Sequence, residues 1–145
     1  MEQDNINNYL LKNGIRPLRK RTLIYDYLIT KKNHPTVETI YKDLLPKSPS
    51  LSKTTVYNVL NLFLEKNMVQ TINIEGNELR YDADINSNGH FKCSDCGQIF
   101  DFKIRDDCYP KVPLEGFVPH NIHYYVVGQC ANCTSLSFTL RKQSS

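Results

Sequence analysis

Apolar residues in the first 66 positions recur with the spacing of amphipathic helices. Ile6 and Leu10 share one face of a short helix over residues 3–13, and Gly14 is placed to end it. Pro17 fits the first turn of a second helix running to about Lys31, with Ile24, Tyr25, Leu28 and Ile29 on its apolar face. The loop Lys32-Asn33-His34-Pro35 follows. Thr36 then caps a third helix, in which Val37, Ile40, Tyr41, Leu44 and Leu45 fall at i, i+3, i+4, i+7 and i+8 before Pro46 and Pro49 break it. Ser52 is a good cap for a fourth helix, which buries Val56, Val59, Leu60 and Phe63.

The opposite face of that fourth helix is polar, with Thr54, Tyr57, Asn58 and Asn61 at helical spacing and Lys53 in the first turn. Two helices joined by a short Pro/Ser turn, the second with a hydrogen-bonding outer face, form a helix-turn-helix pattern. Asn can bond adenine, Thr and Tyr can touch a thymine methyl, and Lys can hold phosphate. The plain alternative is a helical hairpin with a solvated face. Residues 68–74 and 78–82 read as two strands with Glu75-Gly76-Asn77 turning between them. A hairpin directly after such a helix is a wing, and the combination favours DNA binding.

Residues 83–89 have a linker-like composition, so the domain boundary is placed there: 1–82 as a winged-helix DNA-binding domain, 83–89 as a hinge, and 90–145 as a dimerisation and metal-binding domain. In the last segment His90–Ser94, Gln98–Lys103 and His123–Gly128 read as strands. Pro110 and Pro113 interrupt the stretch between the last two, and the tail after Phe138 is polar. The fold class expected is therefore α+β: an N-terminal winged helix-turn-helix followed by a small α/β domain.

The chain has 145 residues, 40% of them hydrophobic, which suits one domain or two small ones. No apolar run approaches the ~20 residues of a membrane span, and the first residues carry no apolar signal core. A cytoplasmic protein is expected, and its five cysteines then need a reading other than disulfides. The net charge of +3 is uneven: residues 12–66 carry eleven Lys and Arg against four Asp and Glu, a local +7, which leaves −4 for the rest. This asymmetry fits a polyanion partner for the first half as well as a solvated surface. The candidates for DNA contact are Arg16, Arg19, Arg21, Lys53, Thr54, Thr55, Tyr57, Asn58 and Asn61.

Cysteine carries the strongest local signal. Cys93-Ser-Asp-Cys96-Gly and Cys130-Ala-Asn-Cys133 are two Cys-x-x-Cys pairs, and two such knuckles complete a tetrahedral site. Structural zinc is the natural occupant, with a redox dithiol as the alternative. Cys108 is left over as a non-ligand. A weaker constellation joins His34, Asp82, Asn88, His90 and Asp101, oxygen and nitrogen donors that suit Fe²⁺ or Mn²⁺ better than thiolate-loving metals.

The segments His34-Pro-Thr-Val-Glu-Thr-Ile-Tyr-Lys, Thr55-Val-Tyr-Asn-Val-Leu, Arg80-Tyr-Asp82, His90-Phe-Lys-Cys93-Ser-Asp-Cys96-Gly and Gly128-Gln-Cys130-Ala-Asn-Cys133 resemble the ferric uptake regulator family. The resemblance runs over nearly the whole chain in the family's order. It implies a cytosolic homodimeric repressor of double-stranded DNA operators rather than an enzyme, with no membrane partner. It also implies one structural zinc and one regulatory divalent ion per subunit.

Within the family the chain is most similar to the peroxide regulators, whose regulatory ligands match His34, Asp82, His90 and Asp101. Thr55-Val-Tyr-Asn is similar to that branch too. The resemblance implies that Fe²⁺ and hydrogen peroxide oxidise a ligand His, here His34, and so release the operator, whereas Mn²⁺ supports DNA binding without this chemistry. No small-molecule substrate is expected beyond peroxide as the signal. Because the matched donors come from both halves, metal binding is expected to act as a clasp. Two departures stand out. Asn88 occupies a position that is usually His in peroxide regulators, and the stretch after Asp101 is short and holds two prolines. His120 and His123 fit an accessory metal site poorly, and surface roles are expected for them. The alternatives are a reversible iron- or zinc-level regulator of the same family and a thiol oxidoreductase.

Overall fold

The computed structural model describes residues 3–73, 78–86, 89–104, 114–119 and 122–135. The chain divides into two compact units, Met1–Ile85 and Asn86–Ser145. Among the described residues no helix is long and apolar enough to cross a membrane.

The first unit holds four helices and a two-stranded sheet: α1 (Gln3–Lys12), α2 (Arg19–Lys31), α3 (Val37–Leu44), α4 (Lys53–Glu65), β1 (Gln70–Ile72) and β2 (Arg80–Asp82). Local chemistry accounts for most of the boundaries. Gly14 sits at φ +75° after α1, and Ile15 N–H reaches back to the Leu10 carbonyl at 2.9 Å. That left-handed turn closes the helix and buries Ile15 against Leu10. Thr36 Oγ1 accepts the Thr39 N–H at 3.2 Å, and Ser52 Oγ accepts the Thr55 N–H at 3.1 Å, so both expected caps form. The start of α2 differs from the expectation. Leu18 is its N-cap, with no side-chain cap bond, and Pro17 lies before the helix instead of in its first turn.

The four apolar faces meet in one core containing Ile6, Leu10, Ile24, Leu28, Ile40, Val56, Leu60 and Phe63. Tyr25 packs edge-on against Phe63, with ring centroids 5.6 Å apart. Each fully buried side chain of this size contributes about 1.5–3 kcal/mol. The sheet pairs Gln70 with Asp82 and Ile72 with Arg80 in antiparallel register. The expected turn Glu75-Gly76-Asn77 lies outside the described residues. Helices α3 and α4 followed by this hairpin form a winged helix.

The second unit holds a three-stranded sheet of β3 (Gly89–Cys93), β4 (Ile99–Phe102) and β5 (Tyr124–Gly128), in the order β4-β3-β5. β3 pairs antiparallel with β4 and parallel with β5. Gly89, placed in the linker by composition, is the first residue of β3. It lies opposite Phe102, whose ring fills the space a Cβ would take. Among the described residues of this unit only Gly89, His90, Cys93 and Cys130 are buried. These buried positions bring sulfur and imidazole together.

Candidate metal centres and nucleic-acid face

Cys93 ends β3 and Cys96 lies in the turn that follows. The parallel register sets Cys93 opposite Gly128, so Cys130 emerges two residues later beside the first knuckle. Ser94 N–H donates to the Gly128 carbonyl at 2.7 Å and fixes that approach. Residues 131–135 then turn helical, carrying Cys133 round to the same point. All four Sγ atoms lie within 4.8 Å of one another. None is in a disulfide.

Cys96 Sγ and Cys130 Sγ are 3.9 Å apart. Sulfurs at the corners of a tetrahedron around zinc, with bonds of 2.3 Å, would stand about 3.8 Å apart. The residues therefore fit a four-thiolate metal ion. Convergence of four sulfurs rather than two is the geometry of a cage, not of a dithiol pair.

Charge distribution within the cage agrees. Cys93 Sγ accepts the Cys96 N–H at 3.5 Å and the Cys130 N–H at 3.3 Å. These bonds stabilise its thiolate and hold its pKa at about 6. Cys133 is pushed the other way, to about 12, by its contacts with the sulfurs of Cys130 and Cys93. Cys93 ionises readily, while Cys96 and Cys133 resist. A divalent cation at the centre would remove that opposition.

His34 and Asp82 meet in the first unit. His34 Nε2 lies 3.6 Å from Asp82 Oδ2, with both side chains about nine-tenths buried. That separation is too long for a hydrogen bond. It is near the roughly 3–3.5 Å between two ligand atoms sharing one ion. β2 sets this geometry: Tyr81 N–H donates to the Pro35 carbonyl at 3.0 Å, and Arg80 Nη1 donates to the His34 carbonyl at 3.2 Å. Asp82 Oδ1 also accepts the Asp84 N–H at 2.9 Å, which orients the carboxylate.

In the second unit His90 and Asp101 are register partners across β3 and β4. His90 Nε2 is 3.3 Å from Asp101 Oδ1; the imidazole is fully buried, and the carboxylate is partly exposed. Tyr125 on β5 lies on the other side of His90, with ring centroids 5.9 Å apart. The donors predicted from the sequence thus form one imidazole–carboxylate pair in each unit. Asn88 lies outside the described residues, as do Cys108 and His120. His123 is exposed near Tyr125, with ring centroids 6.3 Å apart.

On α4, Lys53, Thr54, Tyr57 and Asn58 are exposed and Asn61 is half-buried. Thr55 is half-buried, its hydroxyl 2.9 Å from that of the Ser52 cap. Of the basic residues, Arg16 and Arg19 are exposed and Arg21 is half-buried. Arg19 Nη2 donates to the Lys47 carbonyl at 3.1 Å and Lys20 Nζ to the Ser50 carbonyl at 3.3 Å, tying α2 to the turn before α4. Arg21 donates to the Arg16 carbonyl at 3.0 Å. Lys20 in this tie and Arg80 behind His34 are residues that sequence pattern alone did not single out as functional. Their partners lie 30 and 46 positions away, so no local signal marks them.

Comparison with known proteins agrees with this geometry. Residues 12–111 match the model of the ferric uptake regulator family. The peroxide-responsive repressor PerR of Staphylococcus epidermidis is 37% identical over 93 residues, covering 64% of this chain and 62% of that protein. The PerR of Staphylococcus aureus is 31% identical over 128 residues, covering 83% of each. Among solved structures, PerR from Streptococcus pyogenes superposes with a TM-score of 0.52 at 26% identity, covering 90% of this chain and 92% of that one. The ferric uptake regulator of Vibrio cholerae, at 24% identity, shares the fold with a TM-score of 0.67 over 86% of this chain and 98% of that one. The chain belongs to the ferric uptake regulator family.

Proposed function

We propose that this protein is a metal-dependent transcriptional repressor that binds operator DNA as a cytoplasmic homodimer and releases it when hydrogen peroxide oxidises His34. The observation that carries the reading is the buried His34–Asp82 pair, 3.6 Å apart and spaced as two ligands of one ion. Family membership and the names of the relatives support the rest.

Cys93, Cys96, Cys130 and Cys133 hold structural zinc. His34, Asp82, Asn88, His90 and Asp101 hold the regulatory Fe²⁺ or Mn²⁺. Fe²⁺ held there would catalyse the two-electron oxidation of His34, in which hydrogen peroxide gives one oxygen to a ring C–H, the other oxygen leaves as water, and the imidazole supplies both electrons. His34 and Asp82 each have a part in this. Asp82 supplies a carboxylate ligand beside the His34 ring, and burial of the pair keeps bulk water from competing for the ligand positions. His34 loses donor strength once its ring is oxidised.

The donors lie on both sides of the division at residues 85 and 86. An ion taking ligands from both units therefore favours the one arrangement that satisfies them. A 100-fold change in DNA affinity needs only about 2.7 kcal/mol of such preference, which the loss of one ligand removes. In the DNA-competent form, α4 enters the major groove with Thr54, Thr55, Tyr57, Asn58 and Asn61, while Arg16, Arg19, Arg21 and Lys53 meet phosphates.

The test is peptide mass spectrometry after brief peroxide exposure of Fe²⁺-loaded protein, with Mn²⁺-loaded protein as control. One added oxygen on the tryptic peptide Asn33–Lys42, with iron only, is the expected result. A peptide that stays unmodified with iron would sink the peroxide reading. It would favour the second reading, a reversible iron- or zinc-level regulator. The observation behind that reading is Asn88, whose amide oxygen is a poorer iron ligand than the imidazole usual at that position in peroxide regulators.

A further inference from the structure

The loop between α2 and α3 holds two non-glycine residues in the left-handed region, Lys32 at φ 48° and His34 at φ 50°. His34 also directly precedes Pro35, whose ring steers its neighbour toward extended backbone. Such conformations persist only where the surroundings over-determine them. Here the surroundings are specific. Arg80 Nη1 donates to the His34 carbonyl at 3.2 Å, and Tyr81 N–H donates to the Pro35 carbonyl at 3.0 Å. On the other side, Asn33 Nδ2 donates to the Tyr27 hydroxyl at 3.1 Å, and that hydroxyl donates to Asp43 Oδ2 at 2.6 Å. Tyr27 is buried, and burial followed by the Asp43 carboxylate raises its pKa, so it stays a protonated donor.

Three consecutive loop residues are thus gripped from β2 and from α2, whose Tyr27 is braced in turn by Asp43 on α3. Arg80 and Asp82 are two apart on β2 and share one face of the strand. One strand face therefore carries both Arg80, which holds the backbone of His34, and Asp82, whose carboxylate stands beside its ring.

We infer that Arg80 and Tyr27 are positioning residues that preset His34 for the regulatory ion without touching it. The inference rests on the reading of His34 and Asp82 as ligands. Residues behind a ligand typically change metal affinity by about 10- to 100-fold, and that is the effect expected here.

The experiment uses the full, zinc-loaded chain: wild type, Arg80→Ala, Arg80→Lys, Tyr27→Phe, and His34→Ala as control. Mn²⁺ affinity is measured by calorimetry. Backbone Cα and Cβ chemical shifts of Lys32 and His34, which report positive φ, are measured without Mn²⁺. Arg80→Ala and Tyr27→Phe should each weaken Mn²⁺ binding about 10- to 100-fold, with zinc content and melting temperature unchanged. Both should lose the positive-φ shifts, and Arg80→Lys, which keeps a donor, should recover most of the affinity.

If His34→Ala abolishes binding while Arg80→Ala and Tyr27→Phe stay within twofold of wild type, the inference is overturned and the ligand reading stands. If His34→Ala binds Mn²⁺ like wild type, the ligand reading falls, and the inference that His34 is preset for the ion falls with it. The shifts would then report only what holds the loop. If Arg80→Ala misfolds, Tyr27→Phe, which keeps its ring packed and loses only the hydroxyl, decides alone.

Discussion

Lys53 Nζ in the first turn of α4 lies 2.6 Å from Glu38 Oε2 on α3 and 5.6 Å from the centre of the Tyr41 ring. A cation expected from the sequence to meet DNA is therefore already held by a carboxylate. Its hydrogen bond with Glu38 raises the pKa of Lys53 and keeps it charged. Both partners are more than half exposed, so the pair is held weakly and a phosphate can displace it.

From this pair follows a prediction on DNA affinity. Glu38→Gln should tighten binding to non-operator DNA and steepen the slope of log affinity against log salt by up to about 1. Lys53→Ala should make that slope shallower by about the same amount. Salt titrations by fluorescence anisotropy measure both. Equal slopes in all three proteins would remove Lys53 from the phosphate contacts.

Acid should release the cage metal. The Cys93 thiol is depressed from its ordinary value of 9 to about 6, so its contribution to stability is fully present above pH 9. It is lost as pH falls through about 6. Zinc transfer to a chromophoric chelator should be slow at pH 8 and accelerate as pH falls, because protons then compete with zinc for the thiolates. Cys93→Ser should release zinc readily even at pH 8. A transfer rate independent of pH from 8 to 5 would contradict the thiolate assignment.

A methyl group at Gly89 should disturb the second unit. Its Cβ would run into the Phe102 ring across the β3–β4 pair. Gly89→Ala is expected to cost about 1–3 kcal/mol, read from chemical denaturation. On a Phe102→Ala background the same change should cost well under half as much, because the obstacle is gone. Additive costs would mean that the ring is not what requires glycine.

The α4 cap predicts a smaller and more local effect. Ser52→Ala removes the acceptor for the Thr55 N–H and should cost about 0.5–2 kcal/mol. Ser52→Asp should retain most of the stability, since a carboxylate can accept the same bond next to the positive end of the helix. If alanine and aspartate lose equally, the cap is not carried by that hydrogen bond.

Features that depend on near neighbours were legible in the sequence. Thr36 and Ser52 were readable as caps because the bond each accepts comes from three residues ahead. Gly14 was readable as a stop because only a left-handed residue closes that turn. The two Cys-x-x-Cys knuckles were readable because their spacing is itself the geometry of two ligands on one ion. Hydrophobic spacing likewise marked the buried faces of all four helices.

Tertiary structure decided what depends on distant partners. Pro17 stayed outside α2, whose cap residue Leu18 makes no side-chain bond, so no local signal marked its true start. Gly89 was linker-like by composition, yet pairing with Phe102 on one side and Tyr124 on the other drew it into β3. Cys130 donates to the Cys93 sulfur only because β3 and β5 run parallel and in register. Arg80 reaches His34 across 46 residues. Caps, stops and knuckles are set by atoms a few bonds away along the chain. The imidazole–carboxylate pairs and the hold on His34 are set by side chains that meet only after the sheets and the helical core have formed.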